Sequence, residues 1–187
     1  ILLHMHYYIG AYRIKSELED LSLRYLKPDM YKKIEEKKIR LEEDSASCIN
    51  EMLASIKKLL EDKNLPNEIK VRTKNIYGIY KKISEGQKVS DIHDLIALKI
   101  MLENIESCYS TLGLVHSLYP PINDKFKDYI SNPKTNMYKS LHTTVFGPDD
   151  KIVQVQIRTF EMDKIASFGL TTYWDLKKGD ARMNMQS

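Results

Sequence analysis

The sequence predicts an α+β domain built on a mixed β-sheet with flanking helices. Several segments repeat apolar residues at helical spacing, Leu95–Leu102 is an almost continuous apolar run typical of a buried strand, and His142–Thr159 alternates like a β-hairpin. A hairpin pairs its strands antiparallel, whereas connections through helices favour parallel neighbours. The sheet is therefore expected to contain both kinds of pairing.

Two helices are predicted before the sheet. Ala11–Tyr25 is amphipathic, and Pro28 can begin a second helix that covers Met30–Leu60. The first half of the second helix is rich in Lys and Glu and is typical of a solvated face, whereas its second half is typical of core or of a partner surface. We interpret residues 1–65 as a helical extension that packs on the core. The residues expected to face inward are Ile14, Leu18, Leu21 and Tyr25 in the first helix and Cys48, Ile49, Met52, Leu53, Ile56, Leu59 and Leu60 in the second.

Residues 66–180 are expected to form the core and residues 181–187 a tail. Periodicity alone leaves a buried helix open as the alternative for Leu95–Leu102. In chain order the predicted elements are a strand (Glu68–Arg72), a helix (Lys74–Ser84), a helical turn (Ser90–Asp94), the central strand (Leu95–Leu102), a helix (Glu106–Tyr119, with Tyr109, Leu112, Val115 and Leu118 inward), the hairpin strands (His142–Gly147 and Lys151–Thr159, joined by Pro148–Asp150) and a last helix (Glu161–Leu176, with Met162, Ile165, Ala166, Gly169, Leu170 and Tyr173 inward).

Composition narrows the class of protein. The chain has 187 residues, 42% of them hydrophobic and 29% charged, which suits one soluble domain. Its net charge of +3 is too mild for a general nucleic-acid binder, and no apolar run is long enough to span a membrane. Cys48 and Cys108 lie too far apart for a metal motif, so we expect buried thiols in a reducing, cytoplasmic compartment. The first residue is Ile1, which suggests a fragment of a longer protein.

The segment between Lys70 and Lys82 carries five cations and no acid. Phosphoryl transfer needs cations on the phosphates and a carboxylate for Mg²⁺, so this segment is a candidate for binding a nucleotide triphosphate. A basic surface helix is the equally weighted alternative. Asp94, at the mouth of the central strand, is a candidate Mg²⁺ ligand, with a helix or turn cap as its alternative.

A second candidate region is the loop Ser131–Asn136 and the residues that follow it. Tyr138 looks exposed and can stack on a nucleobase, and His142 can contact phosphate as a cation or orient a group as a neutral donor. A buried structural role is the alternative for His142. On the last hairpin strand, Val153, Val155 and Ile157 should face the core and Gln154, Gln156 and Arg158 the opposite, ligand-facing side. Gln154 stands where a second carboxylate would complete a metal and base pair with Asp94, and an amide cannot act as a base.

Together these pieces resemble the (p)ppGpp synthetase domain of the RelA/SpoT family, in particular its bifunctional synthetase/hydrolase members. The similarity runs from about Tyr12 to Gly179. It implies a nucleotidyltransferase-like fold and Mg²⁺-dependent transfer of pyrophosphate from ATP to the 3′-hydroxyl of GTP or GDP. The matching segments are IKSELEDLSLRYLKPDMY (14–31), NIYGIYKK (75–82), FKDYISNPKTNMYKSLHTTVFGP (126–148) and VQIRTFEMDKIASFGL (155–170).

The resemblance also assigns roles by position. It implies ATP binding by Arg72 and Lys74, with Lys81, Lys82 and Lys99 on the same side; metal binding by Asp94; guanine stacking by Tyr138; and acceptor-nucleotide contacts by Lys134, Asn136, His142 and Lys127, the last in a basic loop that has Lys where Arg is usual. Three positions depart from the family pattern. Val71 replaces a Gly, Lys99 replaces an Arg, and Gln154 replaces the Glu that binds metal and activates the acceptor hydroxyl.

The function expected is therefore a GTP pyrophosphokinase of the stringent response, with very weak or absent synthesis because of Gln154. Hydrolase and regulatory domains of a longer chain are the expected partners. A non-catalytic, nucleotide-binding regulatory module is the main alternative, since the substrate contacts survive while the chemical residue does not. An RNA-binding module, suggested only by interleaved Lys and Tyr, is the third.

Overall fold

A five-stranded mixed sheet, with helices against it, organises the chain in a computed structural model that describes residues 11–89, 92 and 94–168. The sheet order is β1-β2-β5-β4-β3, in which β2 and β5 are parallel and every other neighbouring pair is antiparallel. The elements are α1 (Ala11–Leu26), α2 (Pro28–Asp62), β1 (Asn67–Thr73), α3 (Ile76–Ser84), β2 (Ile96–Leu102), α4 (Ile105–Leu118), β3 (Lys127–Asp128), β4 (Leu141–Phe146), β5 (Ile152–Thr159) and α5 (Phe160–Phe168).

The main core lies between one face of this sheet and helices α2 and α4. Alternate residues of β2 and β5, such as Leu98 and Ile157, are fully buried there against Met52 and Ile56 of α2 and Val115 of α4. This packing explains the apolar stripe in the second half of α2 and confirms that it contacts the core. A smaller cluster, which includes Leu23, Ile34, Ile76 and Ile79, joins α1, α2 and α3.

Several sequence predictions are confirmed. The sheet is mixed, Leu95–Leu102 supplies an interior strand and not a helix, and the hairpin turns at Pro148–Asp150. Asp149 and Asp150 adopt positive φ in that turn, which Asp tolerates better than most residues. Cys48 and Cys108 are buried free thiols, and burial raises the pKa of Cys108 to about 11.

One predicted inward stripe, that of α1, was wrong, and that of α4 was confirmed at Val115 and Leu112 but wrong at Tyr109 and Leu118. In α1, Ile14, Leu18, Leu21 and Tyr25 are 38% to 89% exposed among the described residues, because the helix packs through the side that carries Leu23. In α4 the buried positions are Cys108, Thr111 and Val115, whereas Tyr109 and Leu118 are 37% and 40% exposed. The Tyr109 hydroxyl instead contacts Asp128 and Ser131, which a polar ring tip near the surface can do.

Helix α1 also caps the N-terminus of α3. The Asp20 carboxylate accepts hydrogen bonds from the backbone N–H of Tyr77 (2.8 Å) and Ile76 (3.3 Å), and from the Asn75 side chain (3.0 Å). Asn75 in turn accepts from the N–H of Gly78. An acid at a helix N-terminus satisfies unpaired donors and complements the helix dipole. The two caps tie α1 to the end of β1, close to Arg72 and Lys74.

Some predictions lie outside the described residues. They are most of the turn Ser90–Asp94, the last helix beyond residue 168 and the tail 181–187. The division into residues 1–65 and 66–180 stays a prediction. Within the described residues, no helix combines the length and the apolar character needed to cross a membrane.

Candidate nucleotide site

Strand register brings the two predicted halves of the site onto one face of the sheet. Residues opposite each other on neighbouring strands share a face, so the register defines rows of side chains across the sheet. This face, opposite the main core, is called the polar face below. One row consists of Lys70, Lys99, Gln156, His142 and Lys127, and the next of Arg72, Ala97, Gln154 and Thr144.

On the β1 side of the polar face, Lys74 and Asp94 form an ion pair. The distance between Lys74 Nζ and an Asp94 carboxylate oxygen is 2.7 Å, and both side chains are partly buried. The backbone brings them together, because the N–H of Lys74 donates to the carbonyl of Leu95 at 2.8 Å. The candidate phosphate-binding lysine and the candidate metal ligand are therefore neighbours. Val71, where the family pattern has a Gly, lies within β1, which continues to Thr73.

Arg72 lies at the edge of a cavity of about 360 Å³ that is also lined by Ser16, Asp20 and Asn75. The charge of Arg72 opposes protonation of His142, whose pKa is lowered chiefly by burial, so Arg72 acts electrostatically on the predicted acceptor side. Lys81 and Lys82 lie in the last turn of α3, where Lys81 is exposed and Lys82 pairs with Glu85 at 3.8 Å.

Lys99 and Arg158 share one carboxylate. Lys99 Nζ lies 2.9 Å from Oδ1 of Asp163, and Arg158 Nη1 lies 3.4 Å from the same oxygen. Asp163 is in the first turn of α5, directly after β5, and its side chain is largely buried. A buried cation is stable only with such a partner, so Asp163 holds one cation from each half of the site.

Tyr138 is not the exposed ring that the sequence suggested. It is partly buried, its hydroxyl lies 2.7 Å from Arg158 Nη2 and 2.8 Å from His142 Nε2, and Tyr129 meets it edge-on. The Arg158 guanidinium and the Lys134 ammonium lie 5.1 and 5.3 Å from the centre of the ring. Burial raises the pKa of Tyr138, against a lowering contribution from Arg158.

The loop that precedes Tyr138 is irregular, as predicted. Lys134 and Asn136 are exposed, and the Asn136 side chain accepts a hydrogen bond from the N–H of Tyr138 at 3.2 Å. Asp128 anchors the start of the loop, because its carboxylate accepts from the N–H groups of Ile130 and Ser131 and from the Ser131 and Tyr109 hydroxyls. Lys127 is exposed and lies opposite His142 in the register.

His142 is held neutral. Burial, together with the charges of Arg158, Lys134 and Arg72, lowers the pKa of His142 to about 3, against a raising effect of Asp94. The Tyr138 hydroxyl accepts a hydrogen bond from Arg158 Nη2 and shares a second one with His142 Nε2, whose direction depends on the tautomer of the imidazole. Of the roles open to His142 from sequence, the structure supports the neutral one. Three cations around one uncharged imidazole make this part of the polar face suited to an anion.

Gln154 begins a ladder of side-chain hydrogen bonds along β5. Arg158 Nη2 donates to Gln156 Oε1 at 2.8 Å, and Gln156 Nε2 donates to Gln154 Oε1 at 2.7 Å. Because a guanidinium only donates, Arg158 fixes the orientation of the Gln156 amide. The expectation that all three side chains face a ligand was wrong in one respect, since Gln156 and Arg158 are buried at 1% and 4% exposure and serve the ladder.

Sequence reasoning missed two residues that shape the site, Asp163 and Tyr129, and it predicted ligand contacts for Arg158 and Gln156, whose partners lie within the protein. The strict alternation of β5 placed Arg158 and Gln156 on the correct face, but nothing in the alternation distinguished a contact within the protein from a contact with ligand. Asp163 carries no signal in sequence, because its partners lie on β2 and β5.

Comparison with known proteins agrees with this architecture. Residues 71–181 match the model described as "Region found in RelA / SpoT proteins". The chain is 44% identical over 174 residues to a GTP pyrophosphokinase from Myxococcus xanthus, and 39% identical over 174 residues to a guanosine-3′,5′-bis(diphosphate) 3′-pyrophosphohydrolase from Spiroplasma citri. Each alignment covers 92% of this chain and 23% of the relative, so the chain spans less than a quarter of their length.

The fold is also that of a solved alarmone synthetase. The crystal structure of small alarmone synthetase 2 from Bacillus subtilis superposes with a TM-score of 0.61 at 25% identity, over 76% of this chain and 82% of the other. This likeness confirms the RelA/SpoT synthetase fold predicted from the sequence. With the family model matching more than half of its residues, the chain belongs to the RelA/SpoT family.

Proposed function

We propose that this chain is a GTP pyrophosphokinase domain, which transfers pyrophosphate from ATP to the 3′-hydroxyl of GTP or GDP. The observation that carries the proposal is the polar face, where Arg72, Lys134 and Arg158 surround a neutral His142. Such a face suits two polyanionic nucleotides held side by side, which is the main requirement of phosphoryl transfer. The GTP pyrophosphokinase among the relatives supports the same reaction.

In this proposal the donor ATP lies on the β1 side, with Arg72, Lys74, Lys81, Lys82 and Lys99 as its cationic contacts. Lys74 exchanges Asp94 for a phosphate oxygen when the nucleotide arrives, and Lys99 does the same with Asp163. Each exchange replaces one charge-assisted hydrogen bond by another, so Lys74 and Lys99 have an anionic partner before and after the nucleotide binds.

Asp94 is the candidate Mg²⁺ ligand. Its carboxylate is partly exposed and offers the hard oxygen that Mg²⁺ prefers, and this ion is commonly bound through one or two carboxylates plus substrate phosphates. In this proposal oxygens of the substrate phosphates complete the coordination shell of the ion. When bound, Mg²⁺ would neutralise charge on the phosphates.

The acceptor GTP or GDP lies on the β4 side, with Lys134, Asn136, Tyr138, His142 and Lys127 as its proposed contacts. Tyr138 offers a ring for the base, and His142 offers a neutral imidazole whose orientation Tyr138 fixes. Neither residue takes a proton from the acceptor hydroxyl in this arrangement, because His142 Nε2 is already hydrogen-bonded.

Position 154 decides the rate. Gln154 lies opposite Ala97 and Thr144 in the middle of the sheet and brings no negative charge there. A carboxylate that acts only in the transition state commonly contributes about 10²–10³ in rate, by analogy with single oxyanion-hole donors. The second candidate function, a nucleotide-binding regulatory module, is favoured by the uncharged amide at position 154. Both functions belong in the cytoplasm, beside the hydrolase and regulatory domains of a longer chain.

The test is synthesis from ATP labelled in its β-phosphate with GDP or GTP and Mg²⁺. The unaltered chain and Gln154→Glu are compared, with Gln87→Glu, an exposed position on the loop after α3, as a control for added charge. We expect Gln154→Glu to form labelled product at least about 100-fold faster than the unaltered chain, with no gain in Gln87→Glu. Nucleotide binding without synthesis by any variant would favour the regulatory module, and no binding would refute both functions.

A further inference from the structure

We propose that Arg158 and Asp163 are positioning residues that set the Tyr138 ring and the His142 tautomer before the acceptor nucleotide binds. This inference rests on the proposed function for the identity of the ligand, although the arrangement itself is independent of it. Arg158 is 4% exposed, so its function is not direct contact with solvent or with a ligand at the surface.

The fork of the Arg158 guanidinium makes three contacts at once. Nη2 donates to the Tyr138 hydroxyl at 2.7 Å and to Gln156 Oε1 at 2.8 Å, and Nη1 faces the Asp163 carboxylate at 3.4 Å. The planar guanidinium also lies 5.1 Å from the centre of the Tyr138 ring. A planar fork offers several donors at fixed angles, which an ammonium does not. The position of Tyr138 therefore depends on an arginine at this site and not on positive charge alone.

The hydrogen bond between Arg158 and Tyr138 also affects His142, which contacts the same Tyr138 hydroxyl. In this proposal the Tyr138 hydroxyl, which accepts from Arg158, donates its own proton to His142 Nε2, 2.8 Å away. Tyr129 closes the arrangement, since its ring packs edge-on against both Tyr138 and His142 at centroid distances of 6.1 and 5.3 Å. The proton of the imidazole is thereby placed on Nδ1.

Asp163 determines where Arg158 can lie. Its Oδ1 atom is shared between Arg158 and Lys99, and these two cations stand on the proposed acceptor and donor sides. Loss of this carboxylate would leave Arg158 buried beside Lys99 without a counter-charge, and the guanidinium would be free to leave Tyr138. Among the described residues, Arg158 Nε is also a buried donor without a partner, so the Nη contacts alone hold the side chain.

The test compares Arg158→Lys, Asp163→Asn and the distant, exposed control Arg40→Lys. Two readouts are taken on folded protein: the affinity for GDP and for a non-hydrolysable ATP analogue by calorimetry, and the ¹⁵N shifts of the His142 ring, assigned with His142→Gln. We expect Arg158→Lys to weaken GDP binding at least 10-fold, to change affinity for the ATP analogue less than 2-fold, and to shift the His142 Nε2 signal toward that of an imidazole without a hydrogen bond. Arg40→Lys should change none of these values.

Asp163→Asn separates positioning from a general loss of structure. It should weaken GDP binding 3- to 10-fold and leave affinity for the ATP analogue equal or tighter, because Lys99 is released toward the phosphates. A merely structural role would lower the melting temperature without moving the His142 signals of the folded protein. Unchanged GDP affinity and unchanged His142 shifts in both variants would overturn the proposal while the proposed function stands. If the unaltered chain binds no GDP, the proposed function fails, and the His142 shifts alone decide the positioning.

Discussion

The neutral state of His142 has a consequence for stability that a change of pH exposes. The pKa of His142 is about 3 in the folded chain, against about 6.5 for an ordinary histidine, because burial and the charges of Arg158, Lys134 and Arg72 all oppose protonation. The unfolded chain therefore binds one more proton than the folded chain between these two values, and stability falls as the pH is lowered through that window.

The size of the effect follows from this shift. Each pH unit within the window costs about 1.4 kcal/mol, so lowering the pH from 7 to 4.5 should remove about 2–3 kcal/mol through this one side chain. Urea unfolding of the unaltered chain and of His142→Gln at both pH values measures it. His116, whose pKa burial also lowers, and the carboxylates contribute to both proteins and cancel in the difference.

The expected result is that the unaltered chain loses about 2–3 kcal/mol more than His142→Gln between pH 7 and pH 4.5. If both proteins lose the same free energy of unfolding, His142 is not held neutral, and the hydrogen bond from Tyr138 to Nε2 must be assigned differently.

Three further changes test the packing around the site. Gly147→Ala places a Cβ 2.8 Å from Met52 Sδ and should cost about 1–3 kcal/mol of unfolding free energy in urea; an unchanged midpoint would mean that α2 yields at no cost. Asp20→Ala removes the carboxylate cap from the Tyr77 N–H and should cost about 1–2 kcal/mol, which a melting temperature within error of the original would contradict. Asp128→Ala leaves three donors of the acceptor-side loop without their anchor, so we expect faster amide exchange at residues 130–132, and equal exchange rates would refute the anchoring role.

Much of the fold can be predicted from the sequence because the helices and strands follow local hydrophobic periodicity. The apolar run of β2 and the alternation of β5 each indicate their own burial, and the mixed sheet follows from how such elements connect. The inward side of α1 was misjudged because its partners are long-range. Leu23 packs with residues of α2 and α3, while the more regular apolar stripe stays on the outside of the described chain.

Part of the candidate site can be predicted from the sequence because some of its residues belong to local motifs. Residues such as Lys74 and Tyr138 stand in short, recognisable motifs, and the register then places their strands together. Their present partners are set by tertiary structure, as when Lys99 of β2 and Arg158 of β5 converge on Asp163. Lys99 lies 64 residues before Asp163 in the sequence, and Arg158 lies five residues before it. Sequence spacing therefore gives no indication that both cations contact this carboxylate.

The most direct test of the central claim, that the polar face binds nucleotides, is a calorimetric titration of the unaltered chain with GDP in the presence of Mg²⁺. We predict saturable binding of one GDP per chain, weakened by Lys134→Ala and unaffected by Lys63→Ala, an exposed control directly after the C-terminal end of α2. Absence of heat from a folded chain, or equal weakening by both substitutions, would contradict the assignment of this face.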